Sequence, residues 1–222
     1  MSARKSAAIS ALLILLMFAA SAVTVRYMPV QYGPPGSIAA NPAAINANIA
    51  LLYFIPVLTA VLWLIIAAAP WVFPLGRNLL RSPVAYSTTW IATTAIFAVV
   101  QGWQMSMALG VSWPHDGLVF GAIGVTFMVL GNVYGKALPN TLVGAVTPWA
   151  LADDVVWNKT QRVGGRAMVV AGFVLLVSAF LFDRATLSWM VVVLPGGVGA
   201  GTMVQSYLFW RDRRRERLLS QK

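Results

Sequence analysis

Six long apolar runs dominate this chain and restrict its fold class. They extend from about Ala7 to Val25, Ile49 to Phe73, Val84 to Gly110, Gly117 to Tyr134, Arg166 to Phe182 and Leu187 to Trp210. A hydrocarbon core about 30 Å thick needs roughly 20 apolar residues in a helix, and each run meets or approaches that length. The runs are continuous and lack the period-two alternation of a barrel strand, so helices are the expected spanning structure. Composition agrees. Apolar residues make up 59% of the chain and charged residues 10%, too little polar surface for a water-soluble domain. The expected fold is all-α, a polytopic membrane bundle of six transmembrane helices.

Charge orients the bundle. Arg4, Lys5, Arg77, Arg81, Lys136, Lys159, Arg162, Arg166, Arg211, Arg213, Arg214, Arg215, Arg217 and Lys222 are 14 of the 16 basic residues, and all fall on one side of the alternating runs. The other side holds Arg26 and Arg184. By the positive-inside rule both termini are expected in the cytoplasm. The net charge of +10 does not imply direct nucleic-acid binding, because the basic residues lie between apolar runs and form no single polar face. Arg4–Lys5, an apolar stretch and Ala20-Ser21-Ala22 resemble a cleavable leader, but the stretch continues to Val25, so a retained anchor is expected.

Little material for catalysis is present. There is no Cys, which excludes disulfides, thiolate metal sites and thiol nucleophiles. One His and six carboxylates remain, and Asp116, Asp153, Asp154, Asp183, Asp212 and Glu216 all fall at run ends or in connections. Ion-coupled transporters and proton pumps place such groups inside the bilayer. No catalytic residue, cofactor or metal is expected; His115 and Asp116, beside Trp113-Pro114, read as an interfacial turn. Gln101 and Gln104 share a face of the third run, and with Thr88, Thr89, Thr93 and Thr94 they are expected to hydrogen-bond between helices.

Two stretches carry more. Pro195, Gly197, Gly199 and Gly201 are expected to break the sixth helix. Gly197/Gly201, Gly117/Gly121 and Gly131/Gly135 have the small-xxx-small spacing of close helix packing. A broken helix can line a cavity, which keeps a small-substrate or peptide transporter or channel open as the rival function. The basic run Arg211–Arg217 is expected to anchor that helix at anionic headgroups, with a protein or RNA partner as the other reading.

The inner connection from Asn132 to Gly165 is rich in local signals. Thr147-Pro148 supplies a cap and a first-turn proline. Asp153 and Asp154 suit the positive end of a helix dipole, and Gly164-Gly165 offers a left-handed stop. Leu151, Ala152, Val155 and Val156 gather on one face, and Trp149 and Trp157 suit the headgroup level. A short interfacial helix between the fourth and fifth spans is expected, ending near Gly164.

The same stretch resembles the SdpI family of bacterial membrane proteins. The matching residues are Gly131-Asn132, Lys136, Pro139-Asn140, Gly144, Thr147-Pro148-Trp149, Leu151, Val156-Trp157, Lys159-Thr160, Arg162 and Gly164-Gly165. Pro29-Val30-Gln31-Tyr32, Gly36 and Pro56 resemble, more weakly, a two-span domain often fused ahead of that family. This divides the chain into an N-terminal two-span region (1–83), a third span with its outer loop (84–116), an SdpI-like membrane region (117–210) and a basic cytoplasmic tail (211–222). Three positions depart from the pattern. Gln31 and Gln161 stand where the families usually have His, and Val146 where an Arg is common. Glutamine keeps hydrogen bonding and loses titration.

The resemblance implies an immunity and signal-transduction protein without catalytic activity, in a bacterial inner membrane. Its partners would be a secreted peptide toxin and a winged-helix repressor held at the inner face. Asn132, Lys136, Pro139, Asn140, Thr147, Pro148, Trp149, Asp153, Asp154, Trp157, Lys159 and Arg162 are the expected docking residues. Of these, Lys136, Asp153, Asp154, Trp157, Lys159 and Arg162 are expected to be exposed.

Overall fold

The computed structural model describes residues 3–27, 42–111 and 117–220. Gln31 and its neighbours, and the Trp113–Asp116 turn with His115, lie outside the described residues. Eight helices occur among those described: α1 (Ala3–Tyr27), α2 (Pro42–Val72), α3 (Arg77–Arg81), α4 (Pro83–Ala108), α5 (Gly117–Tyr134), α6 (Pro148–Leu151), α7 (Asp154–Ser178) and α8 (Arg184–Leu219). Six are long and apolar enough to cross a bilayer. The protein is an all-α, multi-pass membrane bundle.

Within the spans, small polar side chains lie inside and many large apolar ones face outward. In α1, Ser6, Ser10, Ser21 and Thr24 are buried, while Leu12, Leu15, Leu16 and Val23 face outward. Between helices in lipid the driving force is close packing and hydrogen bonding, because the tails are as apolar as leucine. Accordingly Ser21 Oγ donates to Leu52 O at 2.8 Å, and Gln101 Nε2 donates to Met17 O at 2.8 Å and Ser21 Oγ at 2.9 Å. Gln104 Nε2 donates to Leu51 O at 2.9 Å. Both glutamines therefore bond between helices as expected. Thr89 and Thr94 do not: their hydroxyls donate to Ala85 O and Trp90 O, one turn back in α4.

Helices α1, α2 and α4 pack together, α5, α7 and α8 pack together, and α4 joins α5. The most extensive contact, α5 with α7, is antiparallel and brings glycine backbones of the two helices together. A Cβ on Gly131 would lie 2.6 Å from Gly165 O, and one on Gly165 would lie 2.5 Å from Gly131 O. Gly124 and Gly172 oppose each other in the same way, and Gly117 abuts the Ala179 carbonyl. On α5 these glycines recur every seven residues, the repeat that keeps one seam facing a partner helix. The expected four-residue pairs are weaker here. Gly121 makes ordinary contact with Leu176, and Gly135 touches only the stem of Arg162.

Two expectations about helix ends are corrected. Pro195 lies inside α8, which runs unbroken from Arg184 to Leu219. A Cβ on Gly196, Gly197, Gly199 or Gly201 would meet nothing within 4 Å, so this stretch neither breaks the helix nor packs it. The transport reading loses its structural premise. The second correction concerns the interfacial helix. It is only α6, and α7 starts at Asp154 and passes through Gly164 and Gly165 without stopping. Those glycines serve close approach: Gly165 meets α5, and Gly164 meets Thr202 of α8 at 2.9 Å from a would-be Cβ.

Candidate partner-docking surface

At one end of the bundle, α5 gives way to a loop that is bonded on every side. Asn140 is fully buried. Its Oδ1 accepts from Leu142 N at 2.8 Å and Val143 N at 2.6 Å, while Nδ2 donates to Leu138 O at 2.8 Å. One side chain thus replaces the partners that a helix or strand would supply. From the α2–α4 side, Asn78 Nδ2 donates to Pro139 O at 2.7 Å, Ser82 Oγ accepts from Leu138 N at 2.9 Å, and Thr141 Oγ1 donates to Pro74 O at 3.0 Å. Ala137 and Val143 complete an apolar cluster with Ile66, Ala69, Leu79, Tyr86, Trp90 and Val133.

The α7 side fixes the rest. Trp157 has no exposed surface, and its indole N–H donates to Ala137 O at 2.8 Å. Gln161 binds one residue twice: Oε1 accepts from Ala145 N at 2.9 Å and Nε2 donates to Ala145 O at 2.9 Å. Gly144 lies directly against this amide with φ of +100°, where any side chain would be strained and would strike Gln161. Thr147 caps α6 by accepting from Ala150 N at 3.1 Å and lies 2.5 Å from Ser206 Oγ on α8.

Asp153 then ends α6 and starts α7. Its backbone is extended, and its Oδ1 accepts from Val155 N at 2.8 Å and Val156 N at 3.2 Å. Its other oxygen receives Arg217, and Arg213 stands 3.8 Å away, both from the extension of α8. Burial disfavours the charged form, but the two amide donors and the Arg217 and Arg213 guanidiniums outweigh it and hold the carboxyl below its ordinary range. The expected basic tail is therefore a helix that folds against the loop. Tyr207 stacks edge-on against Trp149 at 5.4 Å, and Lys159 Nζ lies 5.9 Å over Phe209.

The expected docking residues separate into two sets. Asn132, Lys136, Pro148, Asp154, Lys159 and Arg162 are exposed. Asn140, Thr147 and Trp157 are buried and build the loop; Pro139 and Trp149 are half-buried. Two residues expected to be exposed are not. Trp157 is enclosed, and the Asp153 side chain is 5% exposed beneath Arg217. Ser82, Asn78, Gln161 and Ser206 belong to the same network and were not expected in it. Among the described residues, no three His, Cys, Asp or Glu come together as a metal site.

Residues 136–206, the loop with the helices that hold it, match the SdpI/YfhL protein family. Through this region the chain is similar to that family. It is also similar, at 24% identity over 206 residues, to the immunity protein SdpI of Bacillus subtilis (strain 168), covering 91% of this chain and 95% of that protein. No solved structure matches the chain. The SdpI/YfhL match begins at Lys136 and ends at Ser206, and it contains Asn140, Gly144, Thr147, Trp157 and Gln161, which shape the loop. Family resemblance and loop architecture thus fall on the same residues.

Proposed function

We propose that the protein is a non-enzymatic bacterial membrane immunity and signal-transduction protein. In this reading it binds a peptide toxin from the outer or intramembrane side and docks a winged-helix repressor on its inner loop, with both termini in the cytoplasm. Likeness to an immunity protein along most of both chains supports the first half. The observation that carries the second is the loop itself. Its buried side chains fix the backbone, while Lys136, Asp154 and Lys159 stay on the outside. A surface pre-organised in this way loses little entropy when a partner binds. Helix α7 runs unbroken from this platform to the far end of the bundle, a rigid element between the two proposed sites.

Deleting the gene is expected to sensitise the cell to a co-produced peptide, and unchanged survival across peptide challenges would count against immunity. Lys136→Glu with Lys159→Glu should abolish recruitment of a cytoplasmic repressor to membranes while leaving abundance of the protein unchanged. Recruitment that survives both reversals removes the docking half.

A further inference from the structure

A groove of about 570 Å³ lies between α5 and α7 at the loop end of the bundle. Its lining changes with depth. The Gly131–Gly165 contact fixes the antiparallel register, which sets Arg162 level with the end of α5 and Arg166 one turn deeper. Asn132 faces them from α5, and Val169 and Val170 continue the wall toward the middle of the bundle. Gly135 leaves the mouth open, so that the stem of Arg162 lies across it, 3.6 Å from where a Cβ would be.

Arg162 and Arg166 are exposed and share a helix face. Neither has a hydrogen bond or ion pair among the described residues. The carboxylates are engaged or distant. Asp153 holds Arg217, Glu216 and Asp212 pair within the tail, and Asp183 caps the other end of α8. Asp154 begins α7 about 12 Å away along the axis. Two like charges one turn apart repel, and among the described residues no protein anion offsets them.

We propose that this groove binds one anionic phospholipid. The guanidiniums of Arg162 and Arg166 hold its phosphate, the geometry for which arginine is suited. The Asn132 amide donates to headgroup oxygens, and an acyl chain lies along Val169 and Val170. A free phosphate would use the charged half alone, whereas the mixed lining fits an amphiphile. Basic pockets between membrane helices near the surface bind such headgroups. The site does not depend on toxin or repressor binding.

The test uses the full chain in nanodiscs of phosphatidylglycerol or phosphatidylcholine, with lipids retained on the released protein counted by native mass spectrometry. The wild type is expected to retain phosphatidylglycerol selectively. Arg162→Gln with Arg166→Gln should weaken retention about tenfold or more; Arg214→Gln with Arg215→Gln, which removes equal charge from the tail, should not. Val170→Trp, at an outward position, keeps both arginines and should also lower retention by obstructing the apolar wall, giving a second readout if the double variant does not fold. Retention unchanged in the arginine pair or in Val170→Trp overturns the proposal. So does displacement of phosphatidylglycerol by millimolar inorganic phosphate, which would mark a soluble-anion site.

Discussion

Trp157 lies twenty residues from the carbonyl it binds, and that separation explains why its role was hidden. Indole rings near a span end favour the headgroup level, and nothing local to Trp157 says that a loop will close over it. The structure makes it a part of the fold, where the sequence suggested an exposed docking side chain. Trp157→Ala removes an enclosed ring and orphans Ala137 O, so stability should fall first, by about 3–5 kcal/mol. Trp157→Phe, which loses mainly the hydrogen bond, should cost about 1 kcal/mol. Thermal unfolding in detergent measures both, and an undiminished midpoint for the alanine variant would mean that the ring is not held as described. Gln161 shows the opposite degree of legibility. Its departure from a histidine pattern is plain in the sequence, and the structure gives it a use that needs a donor and an acceptor at any pH.

Helices were easier to find than the seams between them. Six apolar runs were legible because membrane thickness sets their length, yet the small-residue pairs read at a spacing of four were not the ones that pack. The working spacing on α5 is seven, and it becomes visible only beside the seven-residue pair Gly165 and Gly172 on α7. Gly131→Val should therefore force α5 from α7 and cost about 3 kcal/mol or more, whereas Gly197→Val, with open space around it, should be nearly neutral. Equal losses in detergent-solubilised thermal scans would contradict this assignment.

The join of α8 to the loop makes a second prediction about elements. Asp153 ionises below its ordinary value, so its stabilisation is complete above the unfolded carboxylate pKa of about 3.9. It is lost as pH falls through the depressed folded value. Asp153→Asn keeps a capping oxygen but gives up the charge that holds Arg217 and Arg213. A spin label on Leu218→Cys should be immobile at neutral pH, mobile in the Asp153→Asn background, and mobile in the wild type only under strong acid. A label equally mobile in all three would show that the tail is not latched.

For the whole molecule, the structure gathers the charge that the sequence distributes. Ser82 meets Leu138, Trp63 meets Ala7, and Asp153 meets Arg217. The start of α1, the end of α2, the starts of α4 and α7, and the ends of α5 and α8 therefore share one end of the bundle. Every described Lys or Arg except Arg26 and Arg184 lies in these segments, in α3 between α2 and α4, or in the loop after α5. The bias of basic residues toward the cytoplasm predicts that this end faces inward, and the chain is well suited to a direct measurement because it has no cysteine. A single cysteine is then a unique label. At Lys136 or Arg215 it should resist a membrane-impermeant maleimide in intact cells and react after permeabilisation. At Leu181, exposed in the turn between α7 and α8, it should react in both. If Lys136→Cys is labelled in intact cells, the loop faces outward. A cytoplasmic repressor could not then reach it, while the groove beside Arg162 and Arg166 would face the other leaflet.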